Sequence, residues 1–170
     1  LDAYLTNVDR TARNTNLLGV RTPSRLEIAY LQSATDLARM ITDGIFPYGG
    51  ERLLSTTPRV GDGCIRVDRH GMVTFASPNA LSAYRRMGLV TDLVGSRLKD
   101  VTAELLQSGH KVDDVLASVV TGRAAKEIEI ENSDATLFLR AIPLRADGQH
   151  VGALILLRDV TDLRSRDREL

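Results

Sequence analysis

The stretch Gly61 to Gly88, GDGCIRVDRHGMVTFASPNALSAYRRMG, constrains the fold more than any other part of the chain. It predicts two short strands, residues 63–68 and 71–76, joined at Arg69-His70-Gly71. Gly71 supplies the positive φ that a tight hairpin needs. Ser77 follows as a helix N-cap, and Pro78 takes the first helical position, where its missing N–H costs nothing. Ala80, Ala83, Tyr84 and Met87 share one face of that helix, and Gly88 ends it.

Downstream, short helical turns are expected over residues 92–108. Val112, Val115, Leu116, Val119 and Val120 recur at i, i+3, i+4, i+7 and i+8, an amphipathic helix stopped by Gly122. Lys126 to Glu131 alternates, with Ile128 and Ile130 on one face and Glu127, Glu129 and Glu131 on the other, as a half-buried antiparallel strand does. Asn132-Ser133-Asp134 turns the chain into a strand over residues 135–144, and Asp147-Gly148 turns it again into a last strand over residues 151–159. That strand breaks at Asp159-Val160-Thr161 into a charged helix.

Upstream, Ser24 and Glu27 have capping-box spacing at the start of a helix over residues 24–43, and Gly44 is its stop. Leu26, Tyr30, Ala34, Leu37 and Ile41 form a narrow apolar seam along it. Such a seam either packs on its own domain or pairs with a second copy, as in a coiled coil. Residues 44–62, with Gly44, Pro47, Gly49, Gly50, Pro58 and Gly61, read as a linker and place a domain boundary. Residues 1–8 read as one short strand and residues 10–21 as a connector.

Net charge is +0, from 22 basic and 22 acidic residues, which argues against a general nucleic-acid binder. Cys64 is the sole cysteine, so no intrachain disulfide can form, and a reducing compartment is expected. The apolar run Val151 to Leu157 is too short to span a bilayer. The beginning without Met and the ending in mid-helix read as a piece of a longer protein.

Two strands, short helices, a longer helix and a three-strand meander resemble the layout of PAS sensory domains. The segments LEIAYLQSATDLARMITDGIFP, TPRVGDG, ASPNALSAYRRMGL and VGALILLRDVTDLRSRDREL further resemble the PdtaS-like cytoplasmic sensor histidine kinases of actinobacteria, built as GAF, PAS and kinase modules. The resemblance covers roughly residues 24–170. It implies an α+β PAS fold: a five-stranded antiparallel sheet with short helices on one face, plus an N-terminal connector helix. The implied division is the end of a GAF-like domain over residues 1–22, connector helix and loop over 23–62, PAS domain over 63–160, and exit signalling helix from 161. It also implies a homodimer through helices at both ends and a response regulator as the partner of the parent kinase. ATP would bind only in a kinase domain beyond this chain, and neither nucleic acid nor membrane is an expected partner.

The resemblance places a pocket between the sheet and the middle helices. Its lining candidates are Val67, Phe75, Tyr84, Leu98, Val115, Val119 and Leu139, and the same residues would line a dry core. Arg140 and Arg158 read as cross-strand partners of Glu127, Glu129 and Glu131, the alternative being that one arginine turns inward to meet an anionic ligand. His110 is the one haem-ligand candidate, because some PAS domains ligate haem through a histidine in this region; an exposed residue at a helix start is the plainer reading. His70 and His150 read as solvated turn residues. Photosensory PAS domains carry their reactive cysteine in a helix within an Asn-Cys-Arg motif that is missing here, so Cys64 reads as structural. Asp62, Asp68 and His70 suggest an acid–base group but bring no nucleophile with them, so a small independent enzyme is the weakest reading. A ligand-free PAS that holds a dimer and relays a signal is the runner-up to a sensory one.

Overall fold

A computed structural model describes residues 22–46, 59, 61–106 and 114–168. The strand expected over residues 1–8, the connector over 10–21, most of the linker, His110 and Leu170 lie outside these residues.

Helix α1, Arg25–Thr42, starts where the capping box predicts. Ser24 Oγ accepts from the Glu27 backbone N–H at 3.2 Å, and the Ser24 N–H donates back to Glu27 Oε2 at 2.7 Å. The expected apolar seam is not the buried line of this helix. Ser33 and Met40 are its buried residues, while Leu26, Tyr30 and Ile41 stay 40–51% exposed. The periodicity misses the contact line because its anchor is polar. Ser33 Oγ donates to Ala29 O at 2.8 Å and accepts from Arg66 Nη1 at 3.1 Å, and Arg66 also pairs with Asp36.

Five antiparallel strands follow: β1 Gly63–Asp68, β2 Val73–Ala76, β3 Glu127–Glu131, β4 Thr136–Ala146 and β5 Gln149–Asp159. Their spatial order is β2-β1-β5-β4-β3, so the first and last strands of the chain's sheet lie side by side at its centre. β4 and β5 pair over their length, from Leu137 opposite Asp159 to Ala146 opposite Gln149. The hairpin between β1 and β2 is longer than the sequence suggests. Asp68 Oδ1 accepts from the backbone N–H groups of His70 and Met72 at 2.7 and 3.0 Å, and this closes the turn.

Alternation divides the strand residues between two faces. Ile65, Val67, Leu137, Leu139, Ile155 and Leu157 join one continuous core with the helices. On the opposite face, Arg66 reaches α1 and Phe75 meets the Tyr30 ring edge-on at 5.3 Å between centroids. A register shift between Arg66 and Val67 sends both Val73 and Ala76 to the core and Phe75 away from it.

Helices α2 Pro78–Arg86, α3 Leu98–Leu105 and α4 Asp114–Val120 cover the core face. Ser77 caps α2 and also ties it to the sheet: its Oγ accepts from Ala80 N–H at 3.3 Å and from Cys64 N–H at 2.9 Å. Gly63 is required beneath this cap, since a Cβ there would lie 2.7 Å from the Ala80 backbone. Asn132 fastens the other helix ends. Its amide donates to Met87 O and Leu105 O at 2.9 Å each, and its Oδ1 accepts from Asp134 and Ala135 N–H. A final helix, α5 Thr161–Arg168, leaves the end of β5.

Candidate functional site

Five of the seven proposed lining residues come together. Tyr84, Val119 and Leu139 have no exposed surface, and Val67 and Leu98 share their core. The Tyr84 hydroxyl is 3.0 Å from Thr102 Oγ1, whose own hydrogen bond runs to Leu98 O. Burial pushes the Tyr84 phenol up to about 12, against the opposing effect of that hydrogen bond. Val115, Phe75 and the candidate arginine Arg140 do not join them. Val115 is 39% exposed, because α4 buries only Leu116, Val119 and Val120. Phe75 lies on the far face with Tyr30. Arg140 also points away from the core and meets Glu127 Oε1 at 3.3 Å, opposite it across β3 and β4.

The remaining chemical candidates are also committed elsewhere. Asp68 spends its carboxylate on the hairpin backbone, and His70 Nε2 accepts from Arg69 Nε at 3.0 Å. His150 is not a solvated turn residue, since its Nε2 lies 3.1 Å from Gly122 O. Burial pushes the Cys64 thiol up to about 11, with nearby Arg66 opposing, so it is protonated at neutral pH and a poor nucleophile. Among the described residues no group of three or more His, Cys, Asp or Glu comes together to hold a metal ion.

The densest polar arrangement sits where β5 becomes α5. Asp159 Oδ1 accepts from the Thr161 N–H at 3.0 Å and from its hydroxyl at 2.5 Å. Asp159 Oδ2 accepts from Arg86 Nη1 of α2 at 2.7 Å. Thr161 Oγ1 in turn accepts from Thr136 N–H of β4 at 3.0 Å, and Val160 N–H donates to Thr136 O at 2.9 Å. Arg164 on the first turns of α5 holds Glu129 of β3 through two hydrogen bonds. The exit helix is thus fastened to three different elements of the domain. Partial burial raises the Asp159 pKa, but the Thr161 and Arg86 hydrogen bonds outweigh it and hold the carboxyl below the usual range.

One residue earlier, Arg158 forms a fork with Asp62, Nε to Oδ1 at 2.8 Å and Nη2 to Oδ2 at 2.7 Å. Asp62 also accepts from Arg59 N–H at 2.8 Å. The segment entering β1 and the segment leaving β5 are therefore clamped by adjacent residues. Pattern reading pairs Arg158 with a glutamate of the neighbouring meander; the structure gives it Asp62 instead, a partner 96 positions away in sequence. Spacing along one strand carries no signal for such a pair.

A family profile described as the PAS fold matches residues 58–165. This chain belongs to the PAS family. Its PAS domain is homologous to the sensor histidine kinase PdtaS of Mycobacterium tuberculosis, strain CDC 1551 / Oshkosh, at 44% identity over 165 residues, 94% of this chain and 33% of that protein. PdtaS of Mycolicibacterium smegmatis matches at 42% over 154 residues, 88% of this chain and 31% of that protein. The PAS chain thus spans about a third of the length of these curated relatives. Among solved structures, one described as the sensor region of a sensor histidine kinase superposes with a TM-score of 0.71 at 44% identity, covering 85% of this chain and 55% of that one. Among the described residues of the PAS chain, no helix is long and apolar enough to cross a membrane.

Proposed function

We propose that this chain is the sensory and dimerising PAS module of a cytoplasmic two-component sensor histidine kinase, and that its output is the position of α5. The observation that carries this reading is the junction of Asp159, Thr161 and Arg86, which fastens the exit helix to α2 and β4. A helix leaving a rigid sheet transmits a signal when a ligand or partner domain favours one of its arrangements over the other. The exposed apolar surface of α1 supports the dimer. Leu26, Ile28, Tyr30, Leu31 and Ile41 are all at least 40% exposed on one short helix. A second copy of α1 laid against them would remove that surface from water.

The chemistry of the parent would be autophosphorylation of a histidine by ATP and transfer to an aspartate of a response regulator, carried out beyond this chain. Phosphate from labelled ATP is expected to appear on the parent protein as an acid-labile, base-stable phosphohistidine. No such label under conditions that label a known histidine kinase would defeat the parent assignment. A ligand-free relay has one specific observation in its favour, the complete burial of Tyr84, Val119 and Leu139 in one core. Native mass spectrometry of the purified chain separates the two: a core-bound small molecule retained at stoichiometric level would sink the ligand-free version.

A further inference from the structure

A cleft of about 430 Å³ opens between the β1–β2 hairpin, the start of α3 and one side of α4. Its volume falls within the range of small-ligand sites, roughly 300–1,000 Å³. It is lined by His70 of the hairpin, whose Nε2 accepts from Arg69, and by three cations, Arg97 and Lys99 from the start of α3 and Arg123 from the turn after α4. The side chains of Arg97, Lys99 and Arg123 have no hydrogen-bond or ion-pair partner among the described residues. The arginines that bridge elements elsewhere do: Arg66, Arg86, Arg140, Arg158 and Arg164 each meet a carboxylate.

Asp100 and Asp114 line the cleft as well, but each lies in the first turn of its helix, where the helix dipole favours an acid. The dipole does not account for the cations. Arg97 occupies the N-cap position of α3 without a side-chain hydrogen bond, at a place that favours Ser, Thr, Asp or Asn. Lys99 follows in the first turn, where a positive charge opposes the macrodipole. Local choices that work against a helix and face a cavity mark a functional site. We propose that this cleft binds a small metabolite through a phosphate or carboxylate group.

The guanidinium groups of Arg97 and Arg123 and the Lys99 ammonium would donate charge-assisted hydrogen bonds to the anion's oxygens. The turn that carries Arg123 also touches the sheet. Gly122 has room there only because it lacks a Cβ, which would lie 1.9 Å from Ala153 Cβ, and Gly122 O is the partner of His150 on β5. An occupant would therefore press on the beginning of the strand that ends at Asp159. Binding itself does not depend on the relay reading and stands or falls without it.

Isothermal titration of the purified chain with pyrophosphate and, separately, with citrate tests the site, the two arms distinguishing phosphate from carboxylate recognition. Saturable binding of at least one is expected, weakened about 10-fold or more in both Arg97→Gln and Arg123→Gln. Arg85→Gln, an exposed cation of α2, should leave it unchanged. All three side chains are exposed, so each variant should keep the wild-type circular dichroism spectrum. No saturable binding of either probe up to about 10 mM, full affinity in either cleft variant, or equal weakening in all three would overturn the proposal.

Discussion

Asp159 does three jobs with one carboxylate: it closes its own turn, orients the Thr161 hydroxyl and receives Arg86. Its pKa and that of Asp62 are lowered in the folded chain, in each case because hydrogen bonds to arginine and to nearby groups outweigh desolvation. The stability they contribute is thus fully present above the unfolded aspartate value of about 3.9 and is lost as pH falls through the lower folded values. Melting temperature followed from about pH 6 to pH 3 should drop less steeply in Asp159→Asn than in the wild type; parallel acid limbs would argue that Asp159 is not coupled to folding. Gly63 makes a second residue-scale case. A Cβ at 2.7 Å from the Ala80 backbone cannot be accommodated by a side-chain rotation, so Gly63→Ala should cost about 1–3 kcal/mol in urea unfolding. An unchanged midpoint would mean that α2 moves freely over β1. Local residues of this kind divide cleanly in legibility. Ser24, Glu27, Ser77 and Pro78 announce their roles by position within a few residues. Asp62 with Arg158 and Ser33 with Arg66 do not, because each pair joins segments separated by 33 to 96 positions.

At the scale of elements, the strands and helices of residues 61–106 and 114–168 follow the hydrophobic pattern closely, while the face each presents does not always. The core strands are legible because burial on one face enforces a period of two. Phe75 is not, because a register shift in β1 reverses the parity of β2. Helix α1 illustrates the other limit: its apolar seam is real, but the side turned to the sheet is anchored by a buried serine, a half-buried arginine and Met40. The exposed apolar residues of this helix are the surface that the proposed dimer would cover. Leu31 is 62% exposed, so Leu31→Glu should change folding stability by no more than about 0.5 kcal/mol. The same substitution should shift sedimentation from dimer toward monomer. An unaltered dimer in that variant would remove α1 from the interface.

Across the whole molecule, the sheet brings β1 and β5 together at its centre, and with them the incoming clamp at Asp62 and the outgoing junction at Asp159. The order of a hairpin, short helices and a meander was legible from pattern, and it was the resemblance to PAS domains that turned this order into an α+β PAS architecture. Of the lining candidates, Val67, Tyr84, Leu98, Val119 and Leu139 come together, whereas the cations of the polar cleft carry no signal in sequence because their convergence is a property of the folded chain. In the proposed function, α5 carries the output through its junction with the domain. The most direct measurement is the autophosphorylation rate of the full-length parent, the proposed kinase, bearing Asp159→Ala, beside Arg85→Gln, an exposed cation of α2 outside the junction, as a control. A change of about 5-fold or more is expected in the Asp159 variant, corresponding to a coupling of roughly 1 kcal/mol, with the oligomeric state unchanged and the control near wild type. Equal rates in all three proteins would contradict it.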